Sequence, residues 1–120
     1  MAVGVLLVVS VVGCAGVTNG TPTNGGQVEA VVVSSAPSDV DPTPLSKVEN
    51  EQIRRATEQA VVAFDSNGTA ETVTIPVPRP ALDETERAYE RLPESQAEES
   101  LGRFVVYRDR VVRVLLLVYS

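Results

Sequence analysis

The sequence predicts an α+β fold in which a small antiparallel sheet of three to four strands packs against one long and one short helix. Three observations predict it. Valine-rich runs typical of strands occur at residues 28–33, 72–77 and 104–119. Two polar segments with helix start signals lie between them. The whole chain has 120 residues, which is the size of one domain.

The first strand is predicted at Val28–Val33, where β-branched residues partly alternate with others. Three prolines between residues 36 and 44 then end regular structure. The long helix is predicted from about Lys47 to Ala63, because Ser46 and Glu49 have the spacing of a capping box. Apolar residues follow on one helical face, and residues 65–68 form a turn.

The next strand is predicted to lie at the edge of the sheet. It starts at Thr72, and three prolines between residues 76 and 80 remove the N–H donors that a central strand needs. We expect the chain to leave the sheet there as polyproline II. A short second helix is predicted from Asp83 through Leu92, with Pro93 stopping it.

The C-terminal residues predict a β-hairpin. Phe104–Tyr107 and Val111–Tyr119 are apolar runs on either side of a polar turn. The second run is apolar at nearly every position except Arg113. That pattern predicts a central strand that is covered on both faces.

The N-terminus has the pattern of an export signal. Val3–Val12 is a ten-residue apolar run, and Glu29 is the first charged side chain. A membrane-spanning helix needs about 20 apolar residues to cross about 30 Å of hydrocarbon. Met1–Val17 as a helix would be only about 25 Å long. Val11-Val12-Gly13-Cys14 resembles the lipobox of prokaryotic lipoproteins. The resemblance implies that residues 1–13 are a cleaved signal peptide and that Cys14 carries a diacylglyceryl group.

Residues 14–27 are then predicted to be a lipidated flexible tether, since Thr, Asn, Gly and Pro dominate after Cys14. A single domain would follow at residues 28–120. Cys14 is the one cysteine of the chain, so no intrachain disulfide can form. Two alternatives remain open: an uncleaved signal anchor, and a buried strand of a cytoplasmic protein with Cys14 as an inert core thiol.

The charge balance bears on partners. The net charge is −6, and the ten basic residues include nine arginines and one lysine. Such a surface repels phosphates, so no nucleic acid partner is expected. Outside the N-terminus, the acidic, arginine-biased, valine-rich composition resembles that of uncharacterised small secreted proteins of haloarchaea. This resemblance implies a high-salt, extracytoplasmic envelope location.

Asn19 and Asn67 begin N-x-Thr sequons and are candidate glycosylation sites, although Asn-Gly is also common in turns.

The chain has no His, which removes the commonest general base and metal ligand. No phosphate loop or metal-ligand spacing occurs, so we expect no catalytic residue, no metal and no cofactor. The leading prediction is a non-catalytic binding or structural accessory protein, anchored to the outer face of the cell membrane through Cys14. The alternatives are a small surface hydrolase that uses carboxylates, and a soluble cytoplasmic domain if the N-terminus is a buried strand.

Overall fold

The computed structural model describes residues 24–96 and 101–119, which form an α+β structure with two helices and a mixed five-stranded sheet. In chain order the elements are β1 (Asn24–Val33), β2 (Thr43–Pro44), a 3₁₀ turn (Leu45–Lys47), α1 (Glu51–Asn67), β3 (Val73–Pro78), α2 (Arg79–Glu90), β4 (Arg103–Tyr107) and β5 (Arg110–Val118). The predicted α+β class is confirmed.

The strand order across the sheet is β2-β4-β5-β1-β3. Neighbouring strands are antiparallel, except that β2 runs parallel to β4. The described part of the chain therefore has five strands rather than the predicted three to four antiparallel ones. The additional strand is β2, two residues of the proline-rich connection that pair with Val105 and Val106. Pro42 and Pro44 cannot donate to a ladder, which keeps this strand short.

β5 lies between β4 and β1, as predicted from its apolar run. Its hairpin with β4 closes through Arg108 and Asp109, which have φ of 53° and 62°. Two successive positive φ values are the geometry of a tight hairpin turn whose twist matches that of the strands. Since neither residue is Gly, the sequence did not reveal this turn type.

β1 begins at Asn24, so the last four residues of the predicted tether, 24–27, belong to the sheet. The glycines that favoured a flexible segment are required by close packing. A Cβ at Gly26 would lie 2.3 Å from the carbonyl oxygen of Leu117 on the neighbouring strand. The predicted signal peptide at 1–13, and the tether as far as residue 23, lie outside the described residues.

The long helix is displaced from its predicted position. It spans Glu51–Asn67 instead of Lys47–Ala63, and the side chain of Asn50 accepts from the N–H of Ile53 at its start. The predicted capping box at Ser46 and Glu49 instead falls on the 3₁₀ turn and the segment after it. Gly68, with φ of 76°, ends the helix in the left-handed conformation that favours glycine.

β3 is an edge strand, as predicted, but the chain does not leave it as polyproline II. Pro78 is the N-cap of α2, and a proline occupies its first turn. Proline is compatible with a helix start because those N–H groups have no partner within the helix. Asp83, predicted to cap the short helix, therefore lies inside α2.

The core lies between the sheet and the helices. Its completely buried apolar side chains come from α1 and from four strands: Val28, Ala30, Ile53, Ala56, Ala60, Val61, Val77, Val105, Val112 and Val114. Side chains of α2, including Leu82 and Tyr89, pack against the same cluster. Both helices therefore cover one and the same face of the sheet.

Candidate functional site

The two faces of the sheet differ in what covers them. Along β1, Val28, Ala30 and Val32 point to the helices and are buried, whereas the residues between them are only half-buried. β5 repeats this alternation from Val111 to Leu115. Side chains of a strand alternate between faces, so the half-buried set lies on the side away from the helices.

We call this second side the open sheet face. Its residues on the three central strands are Gln27, Glu29, Val31, Val33, Val106, Val111, Arg113, Leu115 and Leu117. None of its apolar members belongs to the core cluster or packs against it, and Leu117 is 41 % exposed. Phe104, on the same side, is only 3 % exposed and marks the border of the open area.

Aliphatic residues make up most of the open sheet face. Val33 lies opposite Val111, Val31 opposite Arg113, and Glu29 opposite Leu115. Directly opposite residues on antiparallel strands have adjacent side chains, so the aliphatic groups form a continuous patch across β1 and β5. A contiguous apolar patch that is partly exposed on a small protein is a common mark of an interaction surface.

One carboxylate and one guanidinium interrupt this patch. The amide of Gln27 donates to the Glu29 carboxylate at 2.8 Å, and the Tyr119 hydroxyl donates in turn to Gln27. These bonds fix one oxygen of Glu29 while leaving the carboxylate without a cation among the described residues. The Glu29 carboxylate is therefore held in position, and its negative charge has no partner cation among the described residues.

Arg113 differs from the three arginines that form ion pairs among the described residues. Arg54, Arg103 and Arg110 each lie within 4 Å of a carboxylate oxygen. Arg113 forms no ion pair in the described chain, and its Nε is buried without a hydrogen-bond partner. A buried donor with no acceptor costs about 1–3 kcal/mol.

Shallow clefts lie at the periphery. One of about 280 Å³ borders the start of α1 and is lined by Lys47, Glu49, Asn50 and Arg91. Another, of about 320 Å³, lies between Phe64 and the β4–β5 turn, where the Arg110 guanidinium stacks 4.6 Å from the Phe64 ring. Within residues 24–96 and 101–119 no three His, Cys, Asp or Glu side chains converge as metal ligands would.

Asp39 is a carboxylate that the structure holds in its ionised form. The backbone N–H of Gln96 donates to it at 2.7 Å and the Ser95 hydroxyl at 2.9 Å. These bonds hold the pKa of Asp39 below its usual value. A general acid needs the opposite shift, so Asp39 acts as a clamp between two loops.

The predicted site residues are distributed as follows. Cys14 and Asn19 lie outside the described residues. Asn67 is the last residue of α1, is exposed, and donates from its side chain to Glu71 at 2.8 Å. Glu29 and Arg113 were not expected as site residues from the sequence. The sequence did contain one signal for them: β5 is apolar at both odd and even positions around Arg113. Two helices on one face of the sheet account for only one of these two sets of apolar residues.

Searches of protein-family models, of curated proteins and of solved structures give no match to this chain. Neither α1 nor α2 has the length and apolar character that crossing a bilayer requires. The features that bear on function are therefore the chemistry of the open sheet face and the N-terminal sequence pattern.

Proposed function

We propose that this protein is a cell-envelope lipoprotein that acts without catalysis, as a binding or structural accessory protein. It is anchored to the outer face of the cell membrane through a lipid on Cys14, and its binding surface is the open sheet face. The observation that carries the binding role is that both helices lie on one side of the sheet while aliphatic residues occupy the other. Covering such side chains yields about 25 cal/mol per Å² of apolar area.

The start of β1 supports the anchoring geometry. Nine residues separate Cys14 from Asn24, the first residue of the sheet. Nine residues extend to at most about 30 Å, so the domain would stay close to the membrane surface. A two-chain lipid on Cys14 is sufficient for a stable anchor.

The sequon at Asn67 fits the same orientation. Phe64 of α1 lines a cleft with Val33, at the C-terminal end of β1. β1 has ten residues, so its ends are about 30 Å apart. Asn67 therefore lies at the end of the domain opposite the tether, where a glycan would point away from the membrane.

The anchor is tested in the cells that make the protein. We expect the wild-type chain in the membrane fraction and its N-terminal peptide, by mass spectrometry, to begin at lipid-modified Cys14. Cys14→Ser should release the chain from membranes or leave an uncleaved precursor without lipid. A Cys14→Ser chain that is cleaved and still membrane-bound would refute the lipid anchor.

The binding surface is tested with matched substitutions on opposite sides of the molecule. Leu115→Glu places a charge in the open sheet face, whereas Val62→Glu places one on the exposed side of α1, where Val62 is 51 % exposed. After cross-linking on intact cells, Leu115→Glu should abolish the cross-linked species and Val62→Glu should leave them unchanged. Equal yields from both variants would show that the open sheet face is not the binding surface.

A further inference from the structure

We propose that the open sheet face binds the same face of a second copy of this chain, and that Glu29 of each copy pairs with Arg113 of the other. This inference rests on the proposed function, because it names the partner of the surface described there. Charge, geometry and area each support a second copy.

The charge distribution favours a second copy. The chain carries a net charge of −6, so two copies repel one another over most of their surfaces. The open sheet face holds one carboxylate and one guanidinium on its central strands, and is therefore neutral. A symmetric interface must be complementary to itself, which a face with one charge of each sign satisfies.

The positions of the two charges fit a two-fold axis. Glu29 lies opposite Leu115 and Arg113 lies opposite Val31, so the two charged residues are diagonal neighbours on adjacent strands. Consider a two-fold axis that lies in the plane between the two packed faces and crosses the line from Glu29 to Arg113 at its midpoint and at a right angle. Rotation about this axis brings each Glu29 to the partner's Arg113. With strands about 4.8 Å apart and about 3.4 Å per residue, the strands of the two copies then cross at about 70°. That angle is close to the orthogonal class of sheet packing.

The lack of a charged partner for Glu29 and for Arg113 among the described residues gives an energetic reason for two copies to associate. Within the described chain Arg113 has no carboxylate partner and Glu29 has no cation. In the pair of copies the Glu29–Arg113 pair would form twice, once on each side of the axis, so that each charge gains one partner. Charged pairs of this kind contribute mainly to orientation and to selection against other partners, while the aliphatic patch contributes the affinity.

The area is sufficient for a modest dimer. Four strands of about eight residues present roughly 500 Å² per copy, or roughly 1,000 Å² in total, at the low end for specific interfaces. Such a dimer dissociates on dilution in solution. Attachment of both copies to one membrane would favour it, because tethering raises the effective concentration.

The test uses the full chain carrying Cys14→Ser, so that lipid does not contribute to association. Light scattering and sedimentation over a wide range of concentration should show a mass rising towards twice 12.8 kDa. Glu29→Arg and Arg113→Glu should each weaken self-association about a hundredfold or more, since each places two like-charged pairs in the interface. Val62→Glu, on the helical side, should leave the association unchanged.

The decisive measurement is a mixture of the two charge-reversed variants. One copy then presents two arginines and the other two glutamates, so every contact across the interface is attractive again. We expect an equimolar mixture to form the heterodimer although neither variant associates alone, which also shows that both are folded. A monomeric wild-type chain at all concentrations, or a mixture that stays monomeric, would overturn the proposal.

These outcomes separate the inference from the proposed function. If the chain is monomeric but Leu115→Glu still abolishes cross-linking on cells, the surface binds a different protein and only the second copy is excluded. If hydroxyl-radical labelling shows the side chains of Val31 and Leu115 shielded in a monomer, another part of the same chain covers the face. That result would overturn both the second copy and the open binding surface.

Discussion

Asn50 connects the two helices, and its replacement tests the architecture that leaves one sheet face open. Its Oδ1 accepts from the N–H of Ile53 at 2.9 Å, and its Nδ2 donates to the Thr85 hydroxyl of α2 at 3.1 Å. The residue is 8 % exposed. Asn50→Ala removes both bonds at once.

The expected cost is the sum of two terms. Loss of an N-cap side chain costs about 1 kcal/mol, and loss of a buried side-chain hydrogen bond costs about another 1 kcal/mol. We expect Asn50→Ala to lower the free energy of unfolding by about 2 kcal/mol. For a domain of this size that corresponds to a fall in Tm of roughly 8–16 °C.

The assay is urea and thermal unfolding of the full chain, followed by circular dichroism. Ser46→Ala is the control, because Ser46 is the cap that the sequence pattern indicated, and its side chain is exposed. We expect that control to change stability by less than about 0.5 kcal/mol. In a double-mutant cycle, Asn50→Ala with Thr85→Val should give a coupling energy of about 1 kcal/mol. A larger loss in Ser46→Ala than in Asn50→Ala, or strict additivity in the cycle, would refute the assignment.

Three further substitutions probe other features. Thr57 is completely buried in α1, and its hydroxyl has no hydrogen-bond partner within the described chain. Thr57→Val should therefore raise the free energy of unfolding by about 1 kcal/mol. A loss of stability would mean that the hydroxyl is hydrogen-bonded. Gly68 has φ of 76°, and a Cβ added there would meet no described atom within 4 Å. Gly68→Ala should therefore lower the free energy of unfolding by about 1 kcal/mol through backbone conformation alone. Urea unfolding would measure this difference. Because the folded pKa of Asp39 is lowered, its contribution is present above the unfolded carboxyl pKa and is lost as the pH falls through the folded one. Asp39→Asn should therefore be less stable than wild type near neutral pH, and the difference should shrink below about pH 4; a difference independent of pH would contradict the clamp.

The sequence predicted the sheet better than it predicted the helix ends. β-branched runs are long, contiguous signals, and β1, β3 and the β4–β5 hairpin all lie where valines concentrate. The start of α1 was predicted four residues early because Ser46 and Glu49 have capping-box spacing, while Asn50 meets the same requirement nearer to the apolar face. A local pattern of four residues could not reveal that the Asn50 amide also bonds to Thr85, 35 positions away.

Glycine and proline were interpreted from their usual roles, and tertiary packing changed both. Gly26 favoured a flexible tether, yet the close approach of Leu117 requires a residue without a side chain there. Pro80 favoured an extended exit from the sheet, yet it lies in the first turn of α2. In both cases the sequence identified a special backbone position but not the neighbour that determines its conformation.

The candidate surface depends on a similar long-range relation. The apolar run of β5 predicted a strand covered on both faces, and its central position in the sheet is confirmed. α1 and α2 both cover the side of Val112 and Val114, which leaves Val111, Leu115 and Leu117 unaccounted for within the described chain. A strand that is apolar on both sides, in a fold with helices on one side, indicates that another surface completes the structure. The placement of Glu29 and Arg113 as diagonal neighbours in the middle of that strand pair makes a second copy the partner whose charges fit.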